Sequence, residues 1–91
     1  MGTSSVASNK RLLFFWGSWC PVCKQMEPML REHDWLIDVV WINVDRCPHH
    51  ASEYQVMGTP TFCLVEYDKE IRRLVGAVSS NQLHEFIKGG I

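Results

Sequence analysis

The chain has 91 residues, enough for one small domain and too few for two. Nine lysines and arginines against ten aspartates and glutamates leave a formal net charge of −1, so no basic block marks a nucleic-acid partner and no acidic run marks a disordered tail. The apolar content is ordinary for a globular core, and the longest apolar run, LLFFW at 12–16, is too short to span a bilayer.

Residues 1–9, MGTSSVASN, are polar and serine-rich, and a disordered tail or an expression remnant is expected there, with the domain proper over 10–91. They lack the apolar stretch of a secretory signal, which makes a cytoplasmic location the default expectation; a mature exported protein would read the same. RLLFFW (11–16) is an apolar, aromatic run closed by Gly17, the pattern of a strand buried on both faces. CPVCKQMEPMLREHD (20–34) follows as a helix: Pro21 suits a first turn, and Val22, Met26, Met29 and Leu30 recur at helical spacing. Pro28 falls inside it and predicts a kink.

DVVWINVD (38–45) reads as a second strand. Cys47-Pro48 opens a short helix over HHASEYQ, and a third strand starts near Thr61. DKE (68–70) is expected to turn into a fourth strand, IRRLVGA, and Ser79 or Ser80 to cap a last helix, NQLHEFIK, with Leu83, Phe86 and Ile87 on one face. The predicted order is β-α-β-α-β-β-α, an α/β fold with a four-stranded mixed sheet flanked by three helices. Its first two strands should be parallel through a right-handed crossover and its last two antiparallel through a tight turn.

The cysteines are Cys20, Cys23, Cys47 and Cys63. Only the first two are close in sequence, and a chain this rich in Leu, Val, Ile, Phe and Trp has no need of a disulfide framework. Disulfide exchange requires a thiolate, and a strand that turns directly into a helix supplies unpaired N–H groups and a favourable dipole for one. Cys20 sits at that helix start and Cys23 one turn deeper on the same face, so Cys20 can attack a substrate disulfide and Cys23 resolve the mixed disulfide. Trp19 is placed to shield the site while Cys20 keeps an exposed edge. Cys63, in mid-strand, reads as a small core residue, and Cys47 as a half-exposed bystander.

Three rival readings remain at this level. Cys20 and Cys23 are inert buried thiols, or they form a Cys₃His zinc site with Cys47 and His49 or His50, or the fold is a partner-binding module that no longer catalyses. Zinc knuckles of that kind usually replace a core, which this chain has, and a pure binder has no need of both thiols. His33, His49, His50 and His84 read as surface positions, and Trp16, Trp35 and Trp41 as core. No metal and no cofactor beyond a redox-active Cys20–Cys23 disulfide is expected.

FFWGSWCPVCK (14–24) resembles the active-site segment of the thioredoxin superfamily, Phe-Trp-Ala-x-Trp-Cys-Gly-Pro-Cys-Lys. INVD (42–45), YQVMGTPT (54–61) and VGAVSSNQLHEFI (75–87) resemble that family's second-strand ending, cis-proline segment and last strand with helix, in the family's order. The resemblance implies a thiol–disulfide oxidoreductase, most simply a monomeric reductase of protein disulfides recycled by a thioredoxin reductase, or alternatively by glutathione. Cys20 would be the attacking and Cys23 the resolving thiol. Trp19, Pro21, Val22, Gly58, Thr59, Pro60 and Gly76 would line the substrate groove, with Pro60 cis and the Thr59 backbone offered to a bound chain.

Three departures from the family pattern stand out. The residues before LLFFW are expected to be too few for the family's opening strand and helix, a glutaredoxin-sized frame. The buried aspartate and its lysine neighbour fall on Phe14 and Trp41, which removes a buried proton relay and leaves water, Lys24 or Glu27 to serve Cys23. Pro-Val lies between the cysteines, and proline directly after the first cysteine is the glutaredoxin habit, yet GAVSSNQ stands where glutaredoxins carry Gly-Gly-x-Asp-Asp for glutathione.

Overall fold

A computed structural model describes residues 9–89. The expectation of a tail over 1–9 falls, apart from Asn9, outside the described residues. Asn9 itself is held: its side-chain amide donates to the Tyr67 hydroxyl. The elements are β1 (Lys10–Trp16), α1 (Pro21–Glu32), β2 (Asp38–Asn43), α2 (Pro48–Glu53), β3 (Thr61–Glu66), β4 (Lys69–Val75) and α3 (Ser80–Lys88), in the predicted order. The sheet order is β2-β1-β3-β4, with β1 and β2 parallel and the other neighbours antiparallel.

Period-2 alternation on the central strand β1 divides the core between the two sheet faces. Leu12 and Phe14 point to one face, where Met26 and Leu30 of α1 and Leu83 and Phe86 of α3 cover them together with Phe62 and Leu64 of β3. Leu13 and Phe15 point to the other face and join Ile42, Cys63 and Val65, with Cys47, Tyr54 and Val56 packed around them from the α2 side. A strand buried on both faces reads as a continuous apolar run, which is why RLLFFW shows no alternation. Trp35 is buried as expected, whereas Trp16 and Trp41 are only half-buried.

Helix α1 runs through Pro28 without ending. Helix α3 starts in a capping box: the Ser79 hydroxyl accepts from the Gln82 N–H while the Gln82 side chain accepts from the Ser79 N–H. It ends at Gly89, in the left-handed region at φ 75°. Two expectations need correction. The β3–β4 turn lies on Tyr67 and Asp68, both at positive φ (52° and 66°), so Lys69 and Glu70 belong to β4 and not to the turn. A two-residue hairpin requires that geometry, and tyrosine gives no sequence signal for it. His84 is half-buried, with its ring 4.3 Å from that of Trp35.

Cys63 is fully buried in β3, and burial pushes its thiol up to about 11 against the opposing pull of Arg73. It is therefore a protonated, inert core group at neutral pH. Treatment of the reduced native protein with iodoacetamide at pH 7 is expected to leave Cys63 unmodified until the chain is unfolded, as read by peptide mass spectrometry. Modification under native conditions would contradict this packing.

Candidate active site

The strand register gathers the candidate residues at one end of the sheet. Trp16 at the end of β1 pairs with Asn43 at the end of β2, so the segments 17–20 and 44–47 leave the sheet side by side. Phe15 pairs with Thr61, and Thr61 with Val75, which brings residues 58–60 and Gly76 to the same end. The Gly76 N–H donates to the Pro60 carbonyl at 2.9 Å. The carboxyl ends of parallel strands are the usual place for a site in an open α/β sheet.

Cys20 is the N-cap of α1, with extended backbone (φ −96°, ψ 107°), and Pro21 occupies the first turn where its missing N–H costs nothing. The Cys23 N–H donates to the Cys20 sulfur at 3.2 Å. An N–H and the positive end of the helix dipole therefore both favour negative charge on that sulfur once it is reduced. Cys20 and Cys23 are joined in a disulfide, with Cα atoms 5.3 Å apart. In this oxidised state Cys20 is only 3% exposed, which corrects the expectation of an exposed edge, and Cys23 is fully buried behind it. Pro21 is exposed and Val22 half-buried on the same turn.

Trp19 is the exposed member, at 62%. Its indole N–H donates to the Asp45 carboxylate at 2.9 Å, and its ring lies so close to Gly17 that a Cβ there would fall 2.8 Å from it. Asp45 was not singled out by its sequence, where it is merely the acid closing a β-rich run. It is positioned by Asn43, whose side-chain oxygen accepts from the Asp45 N–H at 2.8 Å to make an Asx turn. At the same end of the sheet the Thr59–Pro60 peptide bond is cis, Pro60 is fully buried, and the Thr61 hydroxyl donates to the Gly58 carbonyl at 2.6 Å. The Thr59 hydroxyl is buried without a protein partner among the described residues, while Gly58 is exposed.

The zinc grouping is not assembled: among the described residues no three His, Cys, Asp or Glu side chains are placed to hold one metal ion. His49 and His50 are exposed on α2, and Cys47 is half-buried against the opposite face of the sheet from Cys20 and Cys23.

A dithiol pair closed as a disulfide at a helix N-cap, on this four-stranded sheet, defines a thiol–disulfide oxidoreductase with a thioredoxin-like fold. The sequence model of the Thioredoxin family matches residues 3–89. Thioredoxins of Staphylococcus epidermidis and Staphylococcus aureus are each 31% identical over 88 residues, spanning 92% of this chain and 85% of theirs. Among solved structures, a mutant thioredoxin from Halobacterium salinarum aligns with a TM-score of 0.80 at 27% identity, over 97% of this chain and 84% of that one. The oxidised form of mitochondrial thioredoxin 3 from Saccharomyces cerevisiae aligns with a TM-score of 0.77 at 30% identity, over 90% and 79%. The chain belongs to the thioredoxin family.

Proposed function

We propose that this oxidoreductase reduces disulfides in protein substrates, with Cys20 as the attacking and Cys23 as the resolving thiol. The observation that carries this reading is the Cys20 sulfur at the α1 N-cap with the Cys23 N–H on it and Cys23 within disulfide reach. The Cys20 thiolate attacks one sulfur of the substrate disulfide and expels the other as a thiolate. Cys23, losing its proton, then attacks the Cys20 sulfur, releases the second substrate thiolate and closes the internal disulfide. Two electrons pass to the substrate.

Trp19, Pro21, Val22, Gly58, Thr59, Pro60 and Gly76 form the proposed substrate groove. A bound chain would pair with the Thr59 backbone as an added strand. Exposed Trp19, Met57 and Val75 give this end of the sheet an apolar rim suited to a polypeptide. Phe14 fills the buried position beside the pair where the family pattern has an acid, so proton transfer to and from Cys23 falls to water, exposed Lys24 or half-buried Glu27.

Protein disulfides are favoured over glutathione because residues 76–82, GAVSSNQ, offer neither the paired glycines nor the paired acids of a glutathione site. The test supplies electrons in two ways to the same insulin reduction assay. NADPH with a thioredoxin reductase is expected to sustain turnover, and glutathione with glutathione reductase is not. The reverse result would assign the protein a glutaredoxin-like role.

A further inference from the structure

Strand β4 carries a bulge that the catalytic reading does not use. Leu64 pairs with Arg72 but Val65 pairs with Glu70, which leaves Ile71 as the extra residue. In a regular strand, residues three apart point to opposite faces. The bulge restores Glu70 and Arg73 to one face, the α2 side, where Arg73 lies opposite Cys63 and Glu70 opposite Val65. There the Arg73 guanidinium grips the Glu70 carboxylate with two nitrogens, Nε to Oε2 and Nη2 to Oε1, the latter at 2.7 Å.

The same guanidinium reaches across to the end of α2. Arg73 Nη2 donates to the Tyr54 carbonyl, and Nη1 extends to the Gln55 carbonyl at 3.4 Å. These carbonyls belong to a helix terminus closed in an unusual way. The Gln55 N–H returns to the Ser52 carbonyl and the Val56 N–H to the Ala51 carbonyl, a Schellman pattern that places Gln55 in the left-handed region at φ 53°. Glycine normally takes that position, because a side chain there is strained. Arg73 caps the terminal carbonyls and holds the turn in this conformation. Beyond Val56 and Met57 the chain enters Gly58-Thr59-Pro60, whose far end is tied by the Thr61 hydroxyl to Gly58 and by Gly76 to Pro60.

We infer that Arg73, set by Glu70, is a positioning residue for the substrate groove: it fixes the near end of the 56–60 loop and so the orientation in which the Thr59 backbone meets a protein substrate. The inference rests on the proposal that 58–60 form that groove. Arg73 does not touch the cysteines; it acts through the α2 turn.

The test compares two reactions of the same variants. Insulin reduction driven by excess dithiothreitol engages the groove, whereas reaction of the reduced protein with 5,5′-dithiobis(2-nitrobenzoate), carried out with all variants in a Cys47→Ser background to remove the half-exposed free thiol, reads attack by Cys20 without the groove. Arg73→Met, which keeps the apolar stem, is expected to raise KM for insulin about tenfold with kcat and the small-disulfide rate within about twofold, the size of one lost charge-assisted hydrogen bond. Arg73→Lys should recover part of the loss, and Glu70→Gln, a milder change that keeps Arg73 in place, should raise KM about threefold. Equal changes in both reactions, or an unchanged KM in both Arg73→Met and Glu70→Gln, would overturn the inference. Pro60→Ala separates the two levels. If it leaves the insulin KM unaltered, the groove reading itself fails; if it raises KM while the Arg73 and Glu70 variants do not, only the positioning role fails.

Discussion

Replacing Cys20 by serine is expected to lower disulfide exchange by about 10³-fold or more, because a hydroxyl at neutral pH supplies almost no anion to attack sulfur. Cys23→Ser should leave the attack intact and stop the reaction halfway. The mixed disulfide then has no internal thiol to resolve it, and a covalent protein–substrate adduct accumulates through Cys20. Intact-mass analysis of the adduct, followed by peptide mapping, checks the assignment. The asymmetry follows from position: the Cys20 sulfur receives the Cys23 N–H at the helix N-cap, while Cys23 is sealed beneath it. Adduct formation through Cys47, which packs on the other face of the sheet, would overturn the assignment of roles.

Phe14→Ala is expected to cost about 3–5 kcal/mol, the range for deleting a buried aromatic ring. Phe14 is fully buried, meets Trp41 edge-on at 5.0 Å and stacks on Phe62 at 5.1 Å, so the cavity has rigid walls on two sides. Small domains have a total stability of about 5–15 kcal/mol. The thermal midpoint should therefore drop by about 15 °C or more. Calorimetry of the oxidised protein gives the answer, and a drop under about 5 °C would show that neighbouring side chains collapse into the space. The register sets Phe14 directly against Trp41, the two positions where the family pattern carries an acid and a lysine. An apolar aromatic pair there avoids the desolvation of two buried charges. Among the described residues no acid is buried beside Cys23.

Much of this architecture was legible from local signals. The unbroken run of β1 announced a strand covered on both sides, and Cys20-Pro21 and the Ser79-Ser80 pair marked helix starts, whereas the choice of Ser79 and its reciprocal partner Gln82 came only with the structure. The dithiol was legible from equally local spacing. What escaped depends on backbone conformation or on contacts far along the chain. Tyr67 and Gln55 adopt positive φ without the glycine or asparagine that signals it. The bulge at Ile71 is defined only by pairing with β3, and Arg73 meets Tyr54 across 19 positions of sequence. Asp45 gains its meaning from an indole 26 residues away. The burial of Cys20 is likewise a tertiary effect, since it joins the cluster formed by α1, α3 and the sheet.

The reduction potential of the Cys20–Cys23 pair in glutathione buffers, read by intact mass after acid quenching, tests the central claim most directly. The helix N-cap stabilises the Cys20 thiolate, and Phe14, not a carboxylate, fills the buried position beside the pair. Stabilising the reduced form raises the potential. One two-electron transition, confined to Cys20 and Cys23, is expected between roughly −270 and −200 mV. A potential above roughly −200 mV would contradict the reductase and point to an oxidising or glutaredoxin-like role. Failure of the two cysteines to form a disulfide in solution would contradict the catalytic assignment altogether.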